Sequence, residues 1–346
     1  MFEQMQDYGH EEIVFARDRE TGLRTIIAIH DTTLGPAVGG TRFLNYECEN
    51  DAIYDVLRLS RGMTLKNAAA GLDLGGGKAV IIGDPKKLKS RDFFNAYGRI
   101  INSLGGKYYT AEDVNISTED IAATNETTPY VTGTPKISGN PSPLTARGVY
   151  MGLKAGLKVK FGAESFDGFT VAVQGLGSVG YALCEMLHRD GAKLIVADIN
   201  PDVVAKAMDE LKAGVVGTDE ILSAECDIFA PCALGAIFNV NNVALLKCKL
   251  VGGAANNVLV DASVCEEMAA RDILYLPDYI INAGGIINCS YEITEPIFDI
   301  DLVNKKVDDI YNTTLKIIDL AKEKGITTAI AADEYATGII KGKKKS

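Results

Sequence analysis

Two lysines, Lys66 and Lys78, stand twelve positions apart in a stretch crowded with small residues, Ala68 to Ala70 and Gly75 to Gly77. An ammonium group is a compact point charge that can anchor a carboxylate. Deprotonated, a lysine is a usable general base, and burial beside a second cation is what brings a lysine into that range. Small residues allow a backbone or a ligand to come close, so this stretch reads as a floor on which a carboxylate is held and a proton is moved. Proton transfer to an amine also calls for a carboxylate, and Ala111-Glu112-Asp113-Val114-Asn115 supplies two, Glu112 and Asp113. The residues alone leave that choice open.

A second constellation lies in mid-chain. Gly175-Leu176-Gly177-Ser178-Val179-Gly180 is a GxGxxG that follows an apolar run, Val171 to Val173, and precedes a helical pattern. About 20 residues on, the next apolar run ends at Asp198, the spacing of a dinucleotide fingerprint. Gly175 would permit the tight turn, Gly177 the approach of a pyrophosphate to the helix N-terminus, and Gly180 close packing of helix on strand. Asp198 can accept from ribose hydroxyls and would repel a 2′-phosphate, which favours NAD over NADP. A dinucleotide with a lysine-rich pocket points to hydride transfer at a carbon beside a carboxylate.

Other chemistries fit poorly. Gly75-Gly76-Gly77-Lys78 resembles the end of a P-loop, but Leu72 stands where the first glycine is required and Ala79 where Ser or Thr is. Only His10, His30 and His188 occur, with no HExxH and no GxSxG, so zinc hydrolysis and a serine triad have little support, and no metal is expected. The seven cysteines include no CxxC and fit reduced thiols in a cytoplasmic protein. The net charge, 35 − 46 = −11, argues against nucleic acid. The basic run Lys341 to Lys345 reads as a solvated tail. The first ten residues show no signal peptide, and no apolar run reaches membrane-spanning length.

The elements that must position these residues form two sets. The first third mixes a strand at Thr25 to His30, a helix at Asp51 to Ser60, a strand at Ala79 to Ile82, a helix from Ser90 to Ile101 and a strand at Tyr108 to Thr110. Ser117 and Asp120 make a capping box. Pro129, Gly133, Pro135, Gly139, Pro141 and Pro143 then punctuate the chain as a linker would. A helix from Arg147 to Phe161 follows, then strands at Thr170 to Val173, Lys193 to Ala197, Asp227 to Ala230, Lys249 to Val251 and Ile280 to Asn282, in strand–helix alternation. Asp301 to Lys324 reads as one long helix packing across domains. The fold class is α/β with two domains, an N-terminal substrate and catalytic domain and a doubly wound, Rossmann-type domain for NAD, with the C-terminal helix returning to the first. We divide it at 1–133, 134–325 and 326–346.

These residues resemble the glutamate/leucine/phenylalanine/valine dehydrogenase family, and within it the leucine dehydrogenase branch. The resemblance is carried by Leu34 to Arg42 (LGPAVGGTR), Gly62 to Lys78, Thr110 to Val114, Gly139 to Thr145, the GLGSVG turn, Ala230-Pro231-Cys232-Ala233-Leu234-Gly235, Ala254 to Asn257 and Asn282 to Gly285. It implies reversible, NAD-dependent oxidative deamination of an L-amino acid to its 2-oxo acid and ammonia, by a homo-oligomer with no nucleic-acid or membrane partner. It assigns carboxylate binding to Lys66, the catalytic base to Lys78 and proton handling at the amino group to Asp113 over Glu112. Gly39 and Gly40 become a backbone wall, with the glycines before Lys78 serving the amino-acid backbone. Thr145, Ala233 and Asn256 lie with the GLGSVG turn and Asp198 around the cofactor, Asn256 also beside substrate. The side-chain pocket falls to Val38, Met63, Ala111, Ile286 and Cys289. Glutamate-specific members carry a lysine where Val38 stands; here all five are uncharged, so a branched-chain substrate fits. Val38 and Cys289 are smaller than the leucine and valine of many relatives, and Asn115 occurs in aromatic-specific ones, so an aromatic amino acid is the alternative. A non-catalytic sensor of NAD or amino acid would be expected to lack Lys78 or Asp113.

Overall fold

A computed structural model of the chain describes residues 1–134, 137, 139–233, 237–295 and 298–344; Pro135, Leu234, Gly235 and Lys345 lie outside them. The chain divides into two compact units. The first comprises Met1–Asn140, Asn288–Phe298 and Ala336–Ser346, the second Pro141–Ile287 and Asp299–Tyr335.

In the first unit five strands, β1 (Glu12–Arg17), β2 (Arg24–Asp31), β3 (Ala37–Leu44), β4 (Gly75–Ile82) and β5 (Tyr108–Ala111), form a mixed sheet in the order β1-β2-β4-β3-β5. β2 runs antiparallel to β1 and β4, and β3 runs parallel to β4 and β5. Successive strand residues face opposite sides, and both sides here are covered. Ile26, Ala28 and Val80 pack with Ala52, Ile53, Val56 and Leu57 of helix α1 (Glu49–Ala69). Ile27, Ile29, Ala79 and Ile81 pack with Phe93, Phe94 and Tyr97 of the helix Arg91–Ser103, which Ser90 caps. Lys78 has the parity of Val80 and so lies on the α1 side. The sequence pattern predicts α1 only to Ser60. It continues through Gly62 to Ala69 because Thr64, Leu65, Ala68 and Ala69 are buried, and packing overrides the low helix propensity of one glycine.

The second unit holds six strands, β6 (Thr170–Gln174), β7 (Lys193–Ala197), β8 (Gly214–Val215), β9 (Ile228–Pro231), β10 (Leu250–Val251) and β11 (Leu274–Tyr275). All pairs are parallel and the order is β11-β10-β9-β6-β7-β8, so the chain reverses direction across the sheet between β6 and β9. That is the switch point at which doubly wound sheets take ligands. Helix α2 (Ser142–Phe161) leads into β6, and α3 (Ser178–Arg189) leaves it.

Three expectations change. Ile280 to Asn282 is not a strand: Asp278–Ile281 is a short helix with Asn282 as its C-cap. Ile280 and Ile281 are both buried, and a short apolar run does not distinguish a buried strand from a buried helix. Asp301 to Lys324 is two helices within the second unit, Ile300–Asp308 and Ile310–Lys324, with the break at Asp309. Buried Val303, Val307, Ile310, Ile317 and Ile318 keep one periodicity across that break, which hides it in the sequence. The lysine run is not a free tail. Its described lysines, Lys341, Lys343 and Lys344, end helix α5 (Thr328–Lys344), and Lys344 Nζ lies 3.1 Å from Asp31 Oδ2 on β2; α4 is the earlier helix Gly284–Thr294. Cations suit the C-terminal end of a helix. No helix among the described residues is long and apolar enough to cross a membrane.

Candidate active site

The chemistry of the first unit centres on β4. The Cβ direction of each glycine before Lys78 is filled by protein. A Cβ at Gly75 would lie 2.2 Å from Asp31 O, at Gly76 2.1 Å from Thr64 N of α1, and at Gly77 2.7 Å from the Tyr108 ring. These glycines therefore let α1 and β5 close on β4, a correction to their reading as a floor for substrate. Asn67 of α1 adds a hydrogen bond to Gly75 O at 2.6 Å. The result is a lysine held at 6% exposure on a rigid strand.

Lys78 Nζ contacts Asp113 Oδ2. Asp113 stands in the loop after β5, and that loop is tied to β3. Phe43 N donates to Val114 O at 3.0 Å, and Asn115 Nδ2 donates to Phe43 O at 3.0 Å. Asn115 has φ 58°, the left-handed region that asparagine tolerates better than most residues, which gives a conformational reason for Asn or Gly at this position. Ser117 and Asp120 form the capping box that starts the next helix, Thr118–Asn125. Burial pushes the Asp113 carboxyl up, but the charges of Lys78 and Arg42 more than offset it and hold it at about 2. Asp113 is thus an anion at any physiological pH, an acceptor of hydrogen bonds and a partner for an ammonium group. Glu112 does not share this contact; its carbonyl oxygen lies where a Cβ at Gly40 would be, 2.4 Å away.

Gly40 and Gly39 sit on β3 beside this pair. A Cβ at Gly39 would lie 1.9 Å from Gly77 O and 3.2 Å from Met63 Cγ. Buried hydroxyls fix the strand from behind: Tyr108 OH donates to Gly39 O at 2.6 Å, and Thr41 Oγ1 bridges Tyr97 OH and Thr110 Oγ1, each at 2.6 Å. Val38 is fully buried on the same strand, and Ala111 pairs with Gly40. Met63 and the partly exposed Lys66 lie in the last turns of α1. Cys289 is buried in the first unit, its carbonyl accepting from Thr132 Oγ1 at 2.7 Å. Ile286 stands three residues earlier on α4 and belongs to the second unit.

In the second unit the glycine turn follows β6. Gly175 has φ +95°, and its amide donates to Ala197 O of β7 at 2.8 Å. A Cβ there would be 2.8 Å from Ala233 N, which places Ala233 against the turn. At Gly180 a Cβ would be 2.0 Å from Gly175 O, so the helix start packs directly on the turn. Gly177, the N-cap of α3, is different: a Cβ there would meet no atom within 4 Å. The amides of Ser178, Val179 and Gly180 precede the first hydrogen bond of the helix, Tyr181 N to Gly177 O at 2.9 Å. An open glycine before amides that have no intrahelical acceptor fits an anionic pyrophosphate. Asp198 follows β7, as a ribose acceptor should, but also has work in the protein: Oδ2 accepts from Leu176 N at 2.6 Å and Oδ1 from Asn200 N at 2.8 Å. Asn256 Oδ1 accepts from Asn282 Nδ2 at 2.8 Å. Thr145, in the first turn of α2, meets the start of α4, where a Cβ at Gly285 would lie 2.8 Å from its Oγ1.

Three residues without a role in the sequence reading belong with these groups. Arg42 Nε is 3.2 Å from Asp113 Oδ2, Arg42 Nη1 is 3.2 Å from Asp55 Oδ2, and Asn282 orients Asn256. Arg42 and Asn282 lie inside the quoted motifs; Asp55 carries no signal beyond its place on an amphipathic helix.

The arrangement has counterparts among known proteins. Residues 10–134 match the family model described as Glu/Leu/Phe/Val dehydrogenase, dimerisation domain, and residues 200–341 match that of Glutamate/Leucine/Phenylalanine/Valine dehydrogenase. Leucine dehydrogenase of Bacillus subtilis is 49% identical over 100% of this chain and 95% of its own length. L-tryptophan dehydrogenase of Nostoc punctiforme is 45% identical over 100% of this chain and 98% of its own. The crystal structure of L-tryptophan dehydrogenase from that organism superposes with a TM-score of 0.88 at 43% identity, covering 99% of each chain.

Proposed function

The chain belongs to the Glu/Leu/Phe/Val dehydrogenase family and is an NAD-dependent amino-acid dehydrogenase, and from that premise we propose that it catalyses reversible oxidative deamination of a branched-chain aliphatic L-amino acid, Leu, Val or Ile, to its 2-oxo acid and ammonia. The observation that carries the chemistry is the contact of Lys78, buried on β4, with the Asp113 carboxylate. Gly175 to Gly180, Asp198, Ala233, Asn256 and Thr145 would hold NAD, which supplies the two-electron acceptor. Lys66 binds the substrate carboxylate by charge. With the substrate carbon at the imine level, Lys78 takes a proton from the water that adds to it, and Asp113 carries protons to and from the departing amine. A base on a rigid strand and a carboxylate in a loop tied to the neighbouring strand keep their geometry through both transfers.

Substrate choice rests on Val38, Met63, Ala111, Ile286 and Cys289. None is charged, and a buried γ-carboxylate without a partner is costly, which speaks against glutamate. The second reading, an aromatic amino acid, is favoured by the small side chains of Val38 and Cys289. Initial rates with L-leucine, L-valine, L-phenylalanine and L-tryptophan decide between them. We expect kcat/KM for leucine or valine to exceed both aromatic values by roughly tenfold or more, the worth of one or two apolar contacts. The reverse order transfers the assignment to the aromatic class. No NADH from any of the four leaves the sensor reading.

We further assign the enzyme to the cytoplasm, since all seven cysteines are free thiols, and to a homo-oligomer built through the first unit, whose matching family model is named for dimerisation. A monomeric mass by light scattering at micromolar concentration would overturn the latter.

A further inference from the structure

We propose that Arg42 is a positioning residue for proton transfer: it holds Asp113 as a placed anion, so that Lys78 can give up its proton without leaving a half-buried carboxylate unbalanced. The inference rests on the reading of Lys78 as base and Asp113 as its partner, and adds a residue that acts through them.

The geometry is specific. Arg42 Nε and Lys78 Nζ approach the same oxygen, Asp113 Oδ2, while Oδ1 accepts from Val114 N at 2.8 Å. The other end of the guanidinium is held in turn. Arg42 Nη1 lies 3.3 Å and 3.2 Å from the two oxygens of Asp55 on α1. Asp55 also accepts from Tyr46 OH at 2.9 Å and pairs with Arg58 Nη2 at 3.1 Å. Lys78, Asp113, Arg42, Asp55 and Arg58 thus form a chain of alternating charge. With Lys78 protonated the five groups carry one net positive charge; with Lys78 neutral they carry none. Loss of the Lys78 proton therefore leaves every remaining charge paired. Without Arg42, Asp113 would keep Lys78 as its one cation among the described residues, and the pair would retain that proton more firmly.

Only a guanidinium suits the place. It is always charged, and its planar fork reaches two carboxylates at once, which a lysine ammonium cannot do in the same geometry. The neighbouring titratable groups do not replace it. Tyr46 is pushed up by burial and by Asp55, and Tyr108 on β5 is pushed up by burial, so both stay neutral donors. β2 faces Lys78 through Ala28. Of its own titratable groups, Arg24 is exposed at the far end of the strand, and His30 and Asp31 are engaged with Thr64 and Tyr8 O, and with Thr33 and Lys344. Lys66, near the end of α1, is unchanged in every variant below.

The test is the pH profile of kcat/KM for the full-length enzyme with NAD and its best amino acid from the panel above. The substrate ammonium titrates identically in all variants, so a displaced limb belongs to the protein. In Arg42→Gln the ascending limb is expected to move up by on the order of one pH unit, with roughly tenfold loss near neutrality and substantial recovery at alkaline pH. Asp55→Asn, which leaves Arg42 to Asp113 alone, should move the limb the opposite way by a smaller amount. Arg42→Lys should keep the limb near its original place with a lower plateau. A uniform loss at every pH in Arg42→Gln, or limbs that move the same way in Arg42→Gln and Asp55→Asn, would overturn the proposal. If Arg42→Gln does not fold, an unmoved or upward limb in Asp55→Asn overturns it alone. Failure of the underlying reading looks different: Lys78→Ala would then retain near-normal turnover, whatever the Arg42 profiles show.

Discussion

The two halves of the chemistry are built from different materials. In the first unit the working groups are side chains from four separate elements, Arg42 on β3, Asp55 on α1, Lys78 on β4 and Asp113 after β5, joined as alternating charges. In the second unit the groups at the β6–α3 turn are mostly backbone, shaped by what Gly175, Gly177 and Gly180 lack. A cluster of partly buried charges depends on the identity of every member, because removing one partner leaves an uncompensated charge. A backbone cradle depends on space, so its residues differ sharply in how much change they tolerate. The glycines show the same division within one residue type. Gly75 to Gly77 are filled by the protein's own atoms and serve packing, whereas Gly177 opens onto empty space.

The largest effect should come from breaking the charged side of this comparison. Lys78→Ala removes the base and leaves Asp113 with Arg42. We expect kcat to fall by roughly 10²–10⁴-fold, the usual worth of a positioned acid–base group, while NAD affinity measured by titration calorimetry stays unchanged because the glycine turn is untouched. Near-normal turnover would remove Lys78 from the mechanism. Lys66→Ala should act differently, raising the amino-acid KM by tenfold or more with a smaller change in kcat, as expected for a group that binds substrate and transition state alike. An equal fall of kcat with an unchanged KM would make Lys66 a chemical participant.

The contrast also explains what was legible in the sequence. The turn is local: strand, GLGSVG and the acid at Asp198 fall within thirty residues, and each glycine's role follows from spacing, so the parallel sheet and its turn can be read along the chain. The charged cluster is not local. Positions 42, 55, 78 and 113 meet only once β3 is inserted between β4 and β5, and no spacing rule encodes that order. The residues suggested Lys78 on their own grounds, the choice of Asp113 over Glu112 needed the family resemblance, and Arg42 and Asp55 had to wait for the sheet. The misplaced elements share a cause. Ile280–Ile281 and the Asp301 to Lys324 stretch were read from apolar pattern, which reports burial; Pro277 and the break at Asp309 set the actual helix limits without disturbing that pattern.

The smaller and sharper effects lie on the backbone side. Gly180→Ala would put a Cβ 2.0 Å from Gly175 O and 3.1 Å from Cys232 Cβ, atoms that cannot move without displacing β6 or β9. It should cost on the order of 1–3 kcal/mol, as overpacking does, seen as a lower melting temperature of the cofactor-free protein, and it should weaken NAD because the turn is displaced. Gly177→Ala introduces the same methyl group into empty space, at φ −62° and ψ −175°, where any residue is at ease. Its melting temperature should therefore match the unsubstituted protein to within a degree or two, while its NAD affinity falls by about tenfold, the scale on which one methyl group in a tight contact is felt. The two alanines separate folding from binding within one motif. If Gly177→Ala bound NAD normally, the open space before α3 would not be where the pyrophosphate lies, and the ligand would have to approach the switch point from another side; if it lost stability as well, the turn would be packed like that of Gly180, and the distinction between a filled and an open glycine would fail.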